Sequence, residues 1–290
     1  MIKTLIALFF ILTMPAAMAG SLPSESLVPG GIALIKLGHK DNATPRVHYG
    51  SRKVLTLKQG SEWFALLGIP LSTKPGEHSI STRWPSRHAL DSKALGSNAL
   101  SKHFINVKHK KYLTQRITIK NKRMVNPTAE DLERIASERA RKRRAKATWS
   151  TQAASLDFIQ PVQGIMTGSY GKRRVFNGQR RNPHSGMDIA ADKGTDVLAA
   201  ADGRIVETGN FYFSGNVIYI DHGQGLISLY AHLDQTQVKI GDQIKQGQVI
   251  GQVGSTGRVT GPHLHWSVAL NNTWINPALF LQPIEKKQVE

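Results

Sequence analysis

Cysteine is absent from all 290 residues, which excludes disulfides, thiolate nucleophiles and any metal site built on sulfur. Long apolar runs are missing as well. The stretch Leu5–Leu12 falls well short of the roughly 20 residues that a bilayer-spanning helix needs, and no later stretch is long enough. No His-Glu-x-x-His segment occurs, so the glutamate base of that class of zinc protease is not available. Acidic residues are few: 20 Asp+Glu stand against 38 Lys+Arg, a net charge of +18. The imbalance is confined to one half. Residues 20–154 carry 25 basic and 9 acidic side chains, whereas 155–282 carry 10 and 9. Such asymmetry implies an anionic partner.

Lys3, the apolar run after it and Ala17-Met18-Ala19 form a signal peptide over 1–19, with cleavage after Ala19 and export to a periplasm. Export argues against nucleic acid as the anion and leaves peptidoglycan carboxylates or an anionic membrane surface. An exported protein without disulfides must rest on hydrophobic cores, and 40% hydrophobic with 20% charged residues is ordinary for packed domains. No mark of an oligomeric state is present.

Residues 20–125 hold short apolar or alternating runs, Ile32–Leu37, Val54–Leu57, Trp63–Leu67, His103–Val107 and Leu113–Ile119. Gly, Pro, Asn and Ser punctuate them, as expected of a small β-sandwich; 83–102 reads as a loop. His39, His48, His78, His88, His103 and His109 lack partners at ligand spacing and read as solvated or structural. Residues 126–154 hold a basic helix, from Thr128 with Asp131 as a capping box to Arg143-Arg144, and then a linker. Leu132, Ile135 and Ala136 give it a short apolar stripe, and Glu130–Arg134 and Glu138–Lys142 are expected charge pairs. It reads as a solvated interdomain helix, or as a contact for wall or headgroup charge. Residues 155–282 are dominated by strand-like runs with turns at Asp202-Gly203, His222-Gly223 and Gly241-Asp242, and 283–290 form a tail. This part is expected to be a compact antiparallel sheet with an open groove. The basic stretch Lys172–Arg181 precedes the candidate ligands; it either attracts substrate carboxylates or is simply exposed.

The chemistry lies in three stretches of the C-terminal half. Pro183-His184-Ser185-Gly186-Met187-Asp188 offers an imidazole and a carboxylate; Pro262-His263-Leu264-His265-Trp266 offers two imidazoles; Tyr230-Ala231-His232-Leu233 lies between. Three nitrogen or oxygen ligands with one open position hold a catalytic zinc. In a fully extended chain His184 and Asp188 would lie about 13 Å apart, too far to share an ion, so the chain must bend; Gly186, free to take positive φ, is the residue that permits it. Alternation places His263 and His265 on one side of a strand, His265 as ligand and His263 beside the open position. His222, in Asp221-His222-Gly223, reads as a turn or surface histidine.

HxxxD, a histidine in a YAHL stretch and a terminal HxH, together with Tyr170-Gly171-Lys172-Arg173-Arg174 and Gly254-Ser255-Thr256-Gly257-Arg258, resemble the lysostaphin-type (LytM) zinc peptidases of bacterial cell walls over about 158–281. The N-terminal half more loosely resembles the immunoglobulin-like domain that precedes some Gram-negative members. Gly194–Gly209 and Gly241–Gly254 share a strand–Gly–strand pattern similar to biotinyl and lipoyl carriers, which implies a duplicated, barrel-sandwich-like architecture. The resemblance implies one Zn2+ per chain held by His184, Asp188 and His265. It assigns His232 and His263 to proton transfer and oxyanion stabilisation, and the activity to a peptidoglycan endopeptidase cutting glycine bridges or D-Ala–diaminopimelate cross-links; export favours the latter. Alternatives of other kinds are a non-enzymatic activator of wall amidases and a secreted bacteriolysin.

Overall fold

The computed structural model describes residues 22–38, 44–85 and 100–281. The signal-peptide segment, His39, His88, most of the expected 83–102 loop and the tail lie outside them. The apolar runs of the N-terminal half become β1 (Ile32–Gly38), β2 (Arg46–Tyr49), β3 (Arg52–Gln59), β4 (Glu62–Gly68), β5 (Gly76–Arg83) and β6 (Leu100–Val107). They pair antiparallel in the order β1-β4-β3-β2-β5-β6, and this sheet curls into a nearly closed barrel. Ala33, Ile35, Val47, Val54, Leu67, Ile80 and Val107 fill it. The expected sandwich is thus one sheet folded so that its two halves face each other.

β7 (Thr114–Ile117) leaves the barrel and runs parallel to β9 (Arg173–Phe176), which also pairs with β10 (Gln179–Arg181). The main C-terminal sheet runs β16 (Gln243–Ile244), β13 (Gly203–Phe211), β14 (Gly215–Asp221), β15 (Ile227–Thr236), β18 (Leu264–Leu270), β11 (Met187–Ala190), β8 (Ile165–Gly168). β12 (Asp196–Leu198) and β17 (Val249–Val253) join it through β15, and β19 (Thr273–Ile275) lies on β18.

Strict alternation is missing from the first and third apolar runs because β1 and β4 are buried on both faces. Ala33, Ile35, Ala65 and Leu67 point into the barrel. Ile32, Leu55 and Leu66 enter a larger core with Met187, Leu270 and Ile275 of the C-terminal half. Polar clamps seal the seam. Asn271, at left-handed φ 40° in the β18–β19 turn, accepts from the Gly68 amide at 2.7 Å and donates to its carbonyl at 3.0 Å. The Gln224 side chain binds the backbone of Thr56 in the same two-way fashion, at 3.1 and 3.0 Å.

That shared core gives a prediction. At 1.5–3 kcal/mol for each fully buried aliphatic side chain, Ile32, Leu55 and Leu66 are worth roughly 5–9 kcal/mol, as much as the net stability of many domains. Residues 155–290 expressed alone should therefore unfold at a much lower urea midpoint than 20–290, followed by circular dichroism. Equal midpoints would show the shared core to be dispensable.

α1 (Ala129–Lys146) starts from the expected capping box: the Thr128 hydroxyl accepts from the Asp131 amide at 3.3 Å, and the Asp131 carboxylate accepts from the Thr128 amide at 3.1 Å. It is not a solvated strut. Arg141 makes a two-pronged pair with Glu207 of β13 at 2.7 and 3.1 Å, and the Glu138 carboxylate accepts from the Tyr212 amide at 2.9 Å. Arg134 turns to Glu138 at 2.8 Å and to the Asn210 side chain at 2.8 Å, so neither expected intrahelical pair is what holds it. Asp131 receives Arg123 at 2.6 Å, and that bond holds its carboxyl below the usual carboxylate range. The segment after the helix is also fastened, with the Gln224 amide donating to Ser150 and the Ser155 amide to His222.

Candidate metal centre

Three neighbouring strands bring the candidate ligands together. Asp188 of β11 lies directly across from His265 of β18, and His265 lies across from Ala231 of β15. His184 precedes β11, its backbone tied to Gly171 and Lys172 at 2.8 and 2.9 Å. The chain bends between His184 and Asp188 as the spacing demands, but Gly186 does not take positive φ. It is glycine because β18 passes so close that a Cβ would stand 2.2 Å from the Trp266 carbonyl oxygen. Gly168, opposite Asp188, has the same cause: a Cβ there would meet the Asp188 carboxylate at 2.3 Å.

His184 Nε2, His265 Nδ1 and Asp188 Oδ1 converge. The two nitrogens are 2.9 Å apart, and they lie 2.9 and 2.8 Å from the carboxylate oxygen. Among the described residues this is the one group of three such donors within 4.8 Å. The Ser169 carbonyl, which can only accept, takes the Nδ1–H of His184 at 3.0 Å and leaves a lone pair on Nε2. His265 Nε2 faces the Ser267 hydroxyl at 2.8 Å, so Nδ1 is free to ligate. Two lone pairs and a carboxylate aimed at one buried point repel unless a cation lies between them. An N,N,O set of this kind suits zinc.

The charge around Asp188 supports that reading. Burial would raise its carboxyl, but the imidazoles of His184 and His265 facing it outweigh this and hold the group below the usual range. Arg174 Nη2 donates to the second oxygen, Oδ2, at 2.8 Å, leaving Oδ1 for the centre. Burial pushes His265 down to about 4, against the opposing pull of Asp188.

His232 stands beside this group by breaking the strand rule. Tyr230 and Leu233 both enter the same core, which alternation forbids for residues three apart. A bulge in the β14–β15 pairing absorbs the extra residue. At it His232 takes φ 66°, and β15 passes from β18 to β17 as its partner. Left-handed backbone on a histidine costs of order 1–3 kcal/mol and is characteristic of functional sites. The His232 ring packs 4.9 Å from that of His263 and 6.0 Å from that of His265, and His263 Nε2 lies 3.8 Å from Asp188 Oδ1. Backbone carbonyls fix both tautomers: Thr256 accepts from His232 Nδ1 at 2.8 Å and Gly261 from His263 Nδ1 at 2.9 Å. Each Nε2 therefore carries a lone pair. Burial pushes His232 down to about 3.

His222 differs from its reading as a turn or surface residue. Only 1% of it is exposed, with Nδ1 donating to the Asp202 carbonyl at 2.7 Å and Nε2 bonded to the Ser228 hydroxyl at 2.7 Å. The turn was legible; the return of the imidazole under the sheet against Phe158 was not. Burial pushes its pKa down to about 4. Its folded value lies below the unfolded one near 6.5, so unfolding takes up a proton between the two. Stability is complete above about pH 6.5 and falls as the pH drops toward 4, by about 3 kcal/mol from this group. His222→Gln should flatten that part of the stability–pH curve measured by urea titration, and an unchanged slope would refute the assignment.

Of the remaining described histidines, His48, His78, His103 and His109 take no part in the converging group. Sequence reasoning missed Arg174 as a partner of Asp188, and the Ser169 and Thr256 carbonyls that set two tautomers. The Lys172-Arg173-Arg174 and Gly-Ser-Thr-Gly-Arg stretches were their only signal.

The family model described as Peptidase family M23 matches residues 182–277, and that described as Peptidase family M23 N-terminal domain matches 25–92. A solved structure assigned to peptidase M23 from Pseudomonas aeruginosa is 35% identical, covers 88% of this chain and 95% of its own, and superposes with a TM-score of 0.71. Peptidoglycan DD-endopeptidase ShyC of Vibrio cholerae is 44% identical over 115 residues, 36% of this chain and 27% of that protein. DD-carboxypeptidase/endopeptidase Mpg of Neisseria meningitidis is 45% identical over 100 residues, 34% and 23% respectively. The chain spans about a quarter of the length of the curated relatives it matches.

Proposed function

Because the chain belongs to peptidase family M23, we propose that it is a zinc-dependent endopeptidase hydrolysing the D-Ala–diaminopimelate cross-links of peptidoglycan in wall growth or remodelling. The observation that carries this reading is the convergence of His184, Asp188 and His265 beside two further imidazoles with free Nε2 lone pairs. Relatives named as peptidoglycan DD-endopeptidases support the substrate class. The N-terminal Lys3, apolar run and Ala-Met-Ala support export to the periplasm with cleavage after Ala19. The basic excess of residues 20–154 is complementary to wall carboxylates or an anionic membrane surface.

His184, Asp188 and His265 hold the metal, with Arg174 fixing the carboxylate that completes the set. Zinc bound there supplies Lewis acidity toward a carbonyl and toward water. The Thr256 carbonyl takes the Nδ1–H of His232, so its Nε2 lone pair can accept a proton from the attacking water. His263 presents a second Nε2 from the neighbouring ring. Once protonated, either imidazole can donate to the developing oxyanion of the peptide or to the departing amine.

Digestion of purified sacculi by 20–290, with chelator and with zinc restored, tests this reading by mass spectrometry. Zinc-dependent loss of cross-linked dimers with a matching gain of monomers is the expected result. No release by a folded, metal-loaded sample would overturn it in favour of a non-enzymatic regulator.

A further inference from the structure

Three guanidinium groups crowd one wall beside the metal centre. Arg174 and Arg258 both lie over the Phe176 ring, at 5.9 and 4.7 Å from its centroid, and Arg181 is the cross-strand partner of Arg174. Arg181 and Arg258 reach consecutive carbonyls, Val125 at 2.8 Å and Met124 at 3.2 Å. Among the described residues one carboxylate pairs with this wall, that of Asp188, already committed to Arg174 and to the centre. Among the described residues neither Arg181 nor Arg258 forms an ion pair. Arg258 is half-buried between Phe176 and Phe213, 4.7 and 4.3 Å from their centroids. Burial first, then the charges of Arg174 and Arg181, push it down to about 10.

The wall is joined to both sides of the reaction centre. Arg174 holds the Asp188 carboxylate, and Arg258 follows two residues after Thr256, whose carbonyl orients His232. Like charges brought together in a partly desolvated wall repel, and a carboxylate is the group that offsets this. Held between two rings, the planar guanidinium of Arg258 has little freedom left to lose on binding a carboxylate.

We propose that Arg258, assisted by Arg181, forms a subsite for a free carboxylate of the substrate peptide next to the scissile bond. This rests on the peptidase reading and deepens it. A glycine bridge offers no side-chain carboxylate beside its peptide bonds, whereas a cross-link through a diamino-dicarboxylic acid does. The wall therefore selects acidic cross-links.

The test uses residues 20–290 and two cross-linked muropeptide dimers that differ only in whether the carboxylate beside the scissile bond is free or amidated. Wild type should cleave the free form roughly 10–100-fold better in kcat/KM, the range of a charge-assisted hydrogen bond. Arg258→Gln should lose that factor on the free form, mainly through KM, and stay within about two-fold of wild type on the amidated form. Arg258→Lys should recover only part of it, because the charge returns without the fork. Wild type indifferent to amidation, or Arg258→Gln losing equally on both dimers at unchanged Tm, overturns the subsite. If Arg258→Gln melts because the Phe176–Phe213 stack is lost, Arg181→Gln carries the same comparison. A second arm measures binding of the free and amidated stem peptides by NMR shift. Should neither dimer be cut, the peptidase reading fails, while selective binding abolished by Arg258→Gln still upholds the subsite and unselective binding refutes it.

Discussion

Replacing Asp188 by alanine is expected to abolish zinc binding and every zinc-dependent cleavage. The carboxylate is the sole anion among the three converging donors and lies 2.9 and 2.8 Å from the two ligating nitrogens. Its removal also frees Arg174, whose side chain is about four-fifths buried, to stand uncompensated next to the place a cation must occupy. Breaking a buried pair from one side costs about 3–5 kcal/mol, so affinity should fall on the order of a thousand-fold. His184→Ala should act similarly. Arg174→Gln, which leaves all three donors in place, should cost only about 10–100-fold, as removal of an outer hydrogen-bond partner does. Metal content after dialysis against competing chelator separates these cases. Stoichiometric zinc retained by Asp188→Ala would move the ligand set elsewhere.

The difference between these two substitutions marks where the sequence was informative. His184, Asp188 and His265 stood out because their HxxxD and HxH stretches offer ligand types in a pattern that resembles a known peptidase family, and the structure brings the three together. Arg174 did not, because its pairing with Asp188 depends on how β9 lies against β11, which no local pattern encodes. The same division runs through the fold. The capping box at Thr128 is written in three residues and is present. The docking of α1 was hidden because it rests on Arg141, Glu138 and Asp131 rather than on an apolar stripe, and charge on a helix reads as solvated by default. The apolar runs of β1 and β4 are buried on two faces, and the second face belongs to the C-terminal half, which the reading of a separate small sandwich did not anticipate. Glycines were legible as special and illegible as to cause: Gly186 serves close approach of β18, not a left-handed turn.

His232→Ala is expected to separate binding from turnover. His232 is not one of the converging donors, so zinc should remain bound at wild-type stoichiometry while kcat falls by about 10²–10⁴, the contribution of a positioned acid–base group. Stability must be measured alongside, because the position is strained at φ 66° and alanine inherits that strain with fewer contacts. His232→Gly resolves the ambiguity: glycine relieves the backbone cost yet supplies no imidazole, so it should melt no lower than His232→Ala and be equally inactive. His263→Ala provides the complementary case. Its Nε2 lies 3.8 Å from Asp188 Oδ1, and a loss as large as that from His232→Ala would mean that both imidazoles act on the same proton path. Substantial turnover in His232→Ala and His232→Gly would instead leave His263 as the sole base. The bulge that sacrifices strand alternation to aim His232 would then have no catalytic reason to exist.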